Sequence, residues 1–95
     1  MVEWVLKSRQ SIQWKYSNLP ASLASRIMIN IEVLDKNTNS VVGLIAKDQP
    51  LTSKSYAWNV GQLSGGQLKA NGQYIIRIST PKGMVLDQFS VKVNP

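Results

Sequence analysis

Residues 26–33 read Arg26-Ile27-Met28-Ile29-Asn30-Ile31-Glu32-Val33, with an isoleucine or valine at every second position. Because successive side chains of an extended strand point to opposite faces, the aliphatic residues share one face, and Asn30 and Glu32 face water. The alternation has a period of two residues and not the 3.6 of a helix. The segment is therefore predicted to be a half-buried β-strand.

Six further segments complete the pattern of strands. Two of them are weaker, and Gly43 in the second weak one indicates a bulge or the close approach of another part of the chain. No segment carries a helical stripe, so no helix longer than two turns is expected. The four strong segments are Ser11–Tyr16, Ser55–Val60, Gln73–Ile78 and Gln88–Val93, and the two weak ones are Trp4–Lys7 and Val41–Ala46.

Seven short strands separated by turn-forming residues predict a single all-β domain over residues 1–95, either complete or part of a larger protein. The expected architecture is a seven-stranded antiparallel β-sandwich, with a small barrel as the competing possibility. Trp14 and Trp58 lie in phase with the aliphatic residues of their strands and are expected at the centre of the core. Trp4, in the short first strand, is the candidate for an exposed aromatic side chain.

One spacing favours the sandwich over the barrel. Leu68 precedes Tyr74 by six residues, and Tyr74 stands at the start of a predicted strand. This resembles the tyrosine corner of immunoglobulin-like and fibronectin type III domains, in which the tyrosine hydroxyl bonds to the backbone a few residues upstream. The resemblance implies an immunoglobulin-like sandwich. The alternative is that Tyr74 is simply an aromatic residue of the core.

The order of core positions also resembles one family of surface domains. The pattern is similar to the Ser/Thr-rich, GPI-anchored membrane family of fungi and to the amino-terminal domain of yeast cell-wall glucan assembly proteins. The resemblance implies an extracytoplasmic, non-catalytic module, although this sequence shows no signal peptide, Ser/Thr-rich tail or anchor signal. The positions that carry it, across residues 4–93, are Ile12-x-Trp14, Ile27-x-Ile29-x-Ile31, Tyr56-x-Trp58-Asn59-Val60, Gly72-x-Tyr74-x-Ile76-x-Ile78 and Phe89-x-Val91.

Composition removes several classes of site chemistry. The chain has no Cys and no His, which excludes thiol nucleophiles, disulfides, histidine acid–base catalysis and the usual zinc and copper sites. Lys and Arg number 11 against 5 Asp and Glu, a net charge of +6, but the cations are dispersed and form no basic run. Specific nucleic-acid binding is therefore not expected, and no apolar stretch is long enough for a membrane span.

Three motifs with possible chemistry fail on inspection. Asp35-x-Asn37-x-Asn39 resembles the start of a calcium loop, but Ser40 and Ala46 stand where that loop needs a glycine and a bidentate carboxylate. A hairpin loop is the better interpretation. The Gly-rich segment 61–66 lacks the lysine and the following helix of a phosphate loop. The carboxylates are too scattered to nominate a catalytic pair, so no catalytic residue, cofactor or metal is predicted.

Two functions remain open. The first is a non-catalytic structural or interaction module of a cell-surface or secreted protein, with a cytoplasmic location as the alternative. Its partner would be a neighbouring domain or another protein, bound at a sheet edge or loop end. The second is a carbohydrate-binding module attached to an enzyme, which would need exposed aromatic residues. The closing strand carries Lys92, and lysine typically blunts a sheet edge against strand pairing. The first strand carries little charge of its own, so the candidate interaction residues are Trp4, Val5 and Leu6.

Overall fold

The computed structural model describes residues 1–95, and the chain is all-β. Helical structure is limited to α1, Ala21–Ala24, and one 3-10 turn at Leu51–Ser53, so the expectation of no helix beyond two turns is confirmed. The structure contains no helix with the length and apolar character needed to cross a membrane. The nine strands are β1 Val2–Val5, β2 Arg9–Gln13, β3 Met28–Asp35, β4 Val41–Pro50, β5 Ser55–Asn59, β6 Gln62–Leu63, β7 Gly66–Gln67, β8 Gln73–Ser79 and β9 Val85–Asn94.

The strands form one large sheet and two small ones. The large sheet has the order β1-β9-β8-β3-β4, and the small sheets are the pairs β2-β5 and β6-β7. All pairs are antiparallel except β1 and β9, which run parallel. The prediction of a purely antiparallel arrangement is therefore wrong for the first strand. No hairpin joins β1 to β9, which come from opposite ends of the chain, so no turn fixes their relative direction.

The strand count also differs from the seven expected. The two additional strands, β6 and β7, lie within and directly after the Gly-rich segment 61–66, to which the sequence assigned no strand. Each has only two residues, which is too short for an alternating pattern to be visible in the sequence. They form a hairpin in which Gln62 pairs with Gln67 and Leu63 with Gly66.

Residues from the large sheet and from the β2-β5 pair contribute to one hydrophobic core. Trp14 and Trp58 are 2% and 3% exposed, which confirms their predicted burial, and Phe89 is half-buried at the margin. The Trp14 indole donates its Nε1–H to the Leu51 carbonyl at 2.9 Å, and that of Trp58 donates to the Gln62 carbonyl at 2.7 Å. Each indole thus buries its ring and still satisfies its polar atom.

The loop between β3 and β4 is a hairpin connection, as predicted. The Asp35 carboxylate accepts the backbone N–H groups of Asn37 at 2.8 Å and Thr38 at 3.2 Å. Asn39 adopts a left-handed conformation with φ of 58°, which asparagine tolerates better than most residues. Short polar side chains at these positions therefore shape a turn rather than a calcium loop.

The predicted hydrogen bond of the tyrosine corner is confirmed. Tyr74 is 7% exposed, and its hydroxyl donates to the Lys69 carbonyl at 3.1 Å. Leu68 is also buried and joins the same core cluster. A Cβ at Gly72 would overlap the hydroxyl and the ring of Tyr74. The corner therefore needs a glycine at residue 72 so that the tyrosine can reach back across the chain.

The substitution Gly72→Ala is expected to lower the free energy of unfolding by about 1–3 kcal/mol, because the added methyl group must displace Tyr74. Gly66→Ala is the matched control, since a Cβ there meets no atom within 4 Å and the residue has no positive φ. Urea denaturation followed by tryptophan fluorescence measures both. Equal effects from the two substitutions would show that Tyr74 does not depend on the space beside Gly72.

Candidate interaction edge

The three residues proposed from the sequence lie on or directly after β1, at one edge of the large sheet. Trp4 is half-buried and is not an exposed anchor. Its ring packs edge-to-face against Trp58, at a centroid distance of 6.2 Å, and against Phe89, at 5.7 Å. Such aromatic pairs stabilise a fold by more than the burial of their apolar area alone. Trp4 therefore fixes β1 to the core rather than offering itself to a partner.

Leu6 also attaches β1 to the rest of the domain. Its side chain lies against Gly61, where any Cβ would overlap it. Immediately afterwards, Lys7 turns the chain with a φ of 71° and donates its N–H to the Val60 carbonyl at 2.9 Å. Val60 in turn donates to the carbonyl of Ser8 at 2.8 Å. This turn carries the chain from the large sheet into β2.

The free side of β1 presents unpaired backbone groups. The N–H of Leu6 points toward β9, because it donates to the Asn94 carbonyl at 2.8 Å. Because neighbouring N–H groups of a strand point to opposite sides, those of Glu3 and Val5 point away from β9. The carbonyl of Val5 is already bonded by Ser8. The groups left open are the N–H and C=O of Glu3 and the N–H of Val5, which we call the β1 edge.

Exposed apolar side chains flank the β1 edge. Met1 is 62% exposed, Val2 41% and Val5 52%. Glu3 is held on the outer face of the sheet, where its carboxylate accepts the side-chain amide of Asn94 at 3.2 Å. Val5 is thus the one residue of the original three that is exposed. Met1, Val2 and Glu3 flank the same edge, and the sequence pattern did not indicate them, because Val2 is in phase with the inward-facing Trp4 and Leu6.

The opposite edge of the large sheet, formed by β4, is covered in its middle. Ser64 donates its N–H to the Leu44 carbonyl at 2.8 Å, and the side chain of Leu63 packs on Gly43. The close approach expected at Gly43 is therefore confirmed, and the β6-β7 hairpin is what approaches it. Further along β4, Asp48 has a φ of 57° and Pro50 has no N–H to donate. These features blunt the edge against strand pairing.

Lys92 suggested that the closing strand is an edge of the sheet, but at its C-terminal end this strand is not an edge. β1 covers β9 from Val91 to Asn94, so Lys92 lies in an interior strand. The earlier half of β9 has no neighbour on that side, and there the Asp87 carboxylate occupies the edge. It accepts the N–H of Lys15 at 3.0 Å and that of Gln88 at 2.9 Å. An acidic group bonded in this position opposes the addition of another strand.

The aromatic residues and the carboxylates of the chain form no second candidate site. All seven aromatic side chains are buried or half-buried, and no group of three or more Asp or Glu residues could hold a metal ion. Glu32 instead accepts the Ser79 hydroxyl at 2.9 Å and pairs with Arg77 at 3.3 Å on the outer face of the sheet. The carboxylates therefore serve loops and sheet faces.

Comparison with known proteins gives no relative for this chain. No protein-family model matches it, and neither the curated proteins nor the solved structures contain a significant match.

Proposed function

We propose that this chain is a non-catalytic interaction module with an immunoglobulin-like β-sandwich fold, which binds a partner strand at the β1 edge. The observation that carries the proposal is the contrast between the edges of the large sheet. The β1 edge leaves the Glu3 N–H, the Glu3 C=O and the Val5 N–H open beside exposed apolar side chains. The middle of the β4 edge is covered, its end is interrupted by Asp48 and Pro50, and the first half of β9 is blunted by Asp87.

Several features support the immunoglobulin-like part of the proposal. The core joins residues of a large sheet and a smaller one, as a sandwich requires. The hydroxyl of Tyr74 bonds five residues upstream, as in the tyrosine corner of such domains. A location at the cell surface or outside the cell rests on the resemblance to the fungal surface family.

Strand addition explains the composition of the β1 edge. An extended peptide beside Glu3 and Val5 would satisfy their backbone groups, and its side chains would cover Val5 on one face of the sheet and Val2 on the other. Trp4 and Leu6 hold β1 in place by packing on Trp58 and Gly61, so the docking strand is ordered before binding. Preorganisation of this kind lowers the entropy cost of association. The partner would be a strand of a neighbouring domain or of another protein.

Carbohydrate binding is the weaker alternative. Sugar-binding modules stack rings on exposed aromatic faces, and here Trp14 and Trp58 are buried while Trp4 packs on the core. The half-buried rings that remain are Tyr16, Tyr56 and Phe89. Phe89 packs against Trp4, and Tyr16 already has the Lys54 ammonium 5.5 Å from its ring centre.

A selection of random decapeptides displayed on phage tests the proposal. Peptides retained by the domain are expected to be rich in β-branched residues, and their affinity is expected to fall at least about tenfold with Val5→Pro. Proline removes the outward N–H of Val5 and leaves the bond from Leu6 to Asn94 in place. An unchanged circular dichroism spectrum would confirm that the variant still folds.

A matched pair of lysine substitutions controls for charge and exposure. Val5 is 52% exposed and Val41, at the uncovered start of β4 on the opposite edge, is 54% exposed. We expect Val5→Lys to abolish peptide capture and Val41→Lys to leave it unchanged. Loss of peptide capture with Val41→Lys instead, or with neither substitution, would refute the assignment of the docking strand to β1.

A further inference from the structure

An apolar groove lies away from the β1 edge, between the start of β3 and the hairpin that joins β8 to β9. Its volume is about 630 Å³, the largest of the five cavities in the structure. That volume is within the range of small-molecule and side-chain binding pockets. It is lined by Arg26, Ile27, Met28, Thr80, Pro81, Lys82 and Met84.

The groove combines exposed apolar side chains with positive charge. Met28 is 40% exposed and Met84 is 64% exposed. Arg26 stands on the β3 side and Lys82 on the hairpin side, and no carboxylate is among the lining residues. Neither cation takes part in an ion pair. An apolar groove with a free cation on each wall is complementary to an anionic group attached to an apolar one.

The walls of the groove are held in place before any ligand binds. Thr80 donates its N–H to the Met84 carbonyl at 2.9 Å, and its hydroxyl oxygen accepts the N–H of Met84 at 3.0 Å. Gly83 closes the same turn by donating to the Thr80 carbonyl at 2.9 Å. On the other wall, the Ile27 carbonyl accepts the N–H of Leu51 at 3.0 Å. The backbone of the groove is thus ordered, while the two methionine side chains can adapt to a guest.

We propose that this groove binds an acidic peptide segment of a partner protein, with a bulky apolar side chain between Met28 and Met84 and a carboxylate between Arg26 and Lys82. The concave shape favours a peptide over a membrane surface, because an inserted side chain fills a groove and a bilayer lies against a protruding face. This surface is separate from the β1 edge, so a partner strand there and an acidic segment here could be held together.

The three methionines of the chain allow a direct test by NMR. With methyl-labelled methionine, the hexapeptide Glu-Glu-Leu-Phe-Glu-Glu is expected to cause saturable shifts of the Met28 and Met84 methyl signals. Met1 lies outside the groove and is an internal control. The peptides Lys-Lys-Leu-Phe-Lys-Lys and Glu-Glu-Ser-Ser-Glu-Glu are expected to bind at least about tenfold more weakly, because each lacks one half of the complementarity.

Charge reversal separates local recognition from the net positive charge. The double variant Arg26→Glu with Lys82→Glu is expected to weaken binding of the acidic peptide by about tenfold or more. The control, Lys7→Glu with Lys69→Glu, changes two exposed lysines outside the groove and alters net charge equally. Equal losses from both pairs would overturn the proposal. So would shifts of Met1 alone, or binding to phosphatidylserine vesicles that depends on Lys82 in the absence of any peptide binding.

Discussion

Replacing Trp58 by alanine is expected to lower the free energy of unfolding by about 3–5 kcal/mol. The side chain is 3% exposed, packs against Trp4 and donates its indole N–H to the Gln62 carbonyl. Its loss would remove the transfer energy of the largest side chain and leave a cavity in the core. Because a small domain has about 5–15 kcal/mol in total, the variant is expected to be marginal or unfolded at 37 °C. Thermal unfolding followed by circular dichroism measures the effect.

Ser55→Ala, on the same strand, is the control for Trp58. Ser55 is exposed and its side chain makes no hydrogen bond, so its substitution is expected to change the free energy of unfolding by less than about 0.5 kcal/mol. If Trp58→Ala melted within a degree or two of the parent, the core described here would be wrong, and an exposed aromatic platform would become the better interpretation.

Gly61→Ala is expected to cost about 2–5 kcal/mol, for two reasons that add. Gly61 has a φ of 97°, a conformation that costs a residue with a Cβ about 1–2 kcal/mol. The new methyl group would also overlap Leu6, and overpacking of that kind costs about 1–3 kcal/mol. The substitution therefore disrupts the contact between Leu6 and Gly61, which holds the end of β1 to the domain.

Gly65→Ala isolates the conformational part of that cost. Gly65 has a φ of 81° but no atom within 4 Å of a Cβ, so about 1–2 kcal/mol is expected there. Leu6→Ala alone is expected to be destabilising, because Leu6 packs against the core. Combined with Gly61→Ala its cost should be smaller than alone, because the clash is removed, whereas combined with Gly65→Ala the two costs should add. The same cost for both glycines, with additive costs in both double variants, would mean that Leu6 does not pack on Gly61. Urea denaturation measures the three single and two double variants.

The strands that alternate clearly were predictable from the sequence. β3 and β8 are flanked by strands on both sides in the large sheet and bury one face, so their isoleucines at every second position identify strand and inward face together. The hydrogen bond from the Tyr74 hydroxyl to the upstream backbone was also predictable, because the spacing between Leu68 and Tyr74 is a local feature. The alternation of a strand and the hydrogen bond of Tyr74 each depend on the sequence of a single segment.

The features that depend on pairing between distant segments were not predictable. The parallel direction of β1 follows from where residues 2–5 meet residues 91–94, and no local signal states it. The cover over β4 comes from the hairpin Gln62–Gln67, whose two-residue strands are too short to alternate. For the same reason the sequence left open whether Trp4 is exposed, a question that its contacts with Trp58 and Phe89 decide.

The candidate site was found in part. The segment from Trp4 to Leu6 does lie at an edge, but its side chains have different roles: Trp4 and Leu6 attach the strand, and Val5 faces solvent. The cover over the other edges, which makes the β1 edge distinct, is a property of the folded chain. The groove between Met28 and Met84 was not anticipated, because its two methionines are 56 residues apart in the sequence.

Amide hydrogen exchange at β1 tests strand addition most directly. In the free domain, the N–H of Leu6 is expected to exchange slowly and those of Glu3 and Val5 rapidly, because only the first is bonded to β9. With the tightest of the selected decapeptides bound, Glu3 and Val5 should become protected and the amides of β4 should not change. Rapid exchange at Glu3 and Val5 in the complex, or new protection along β4, would contradict docking at the β1 edge.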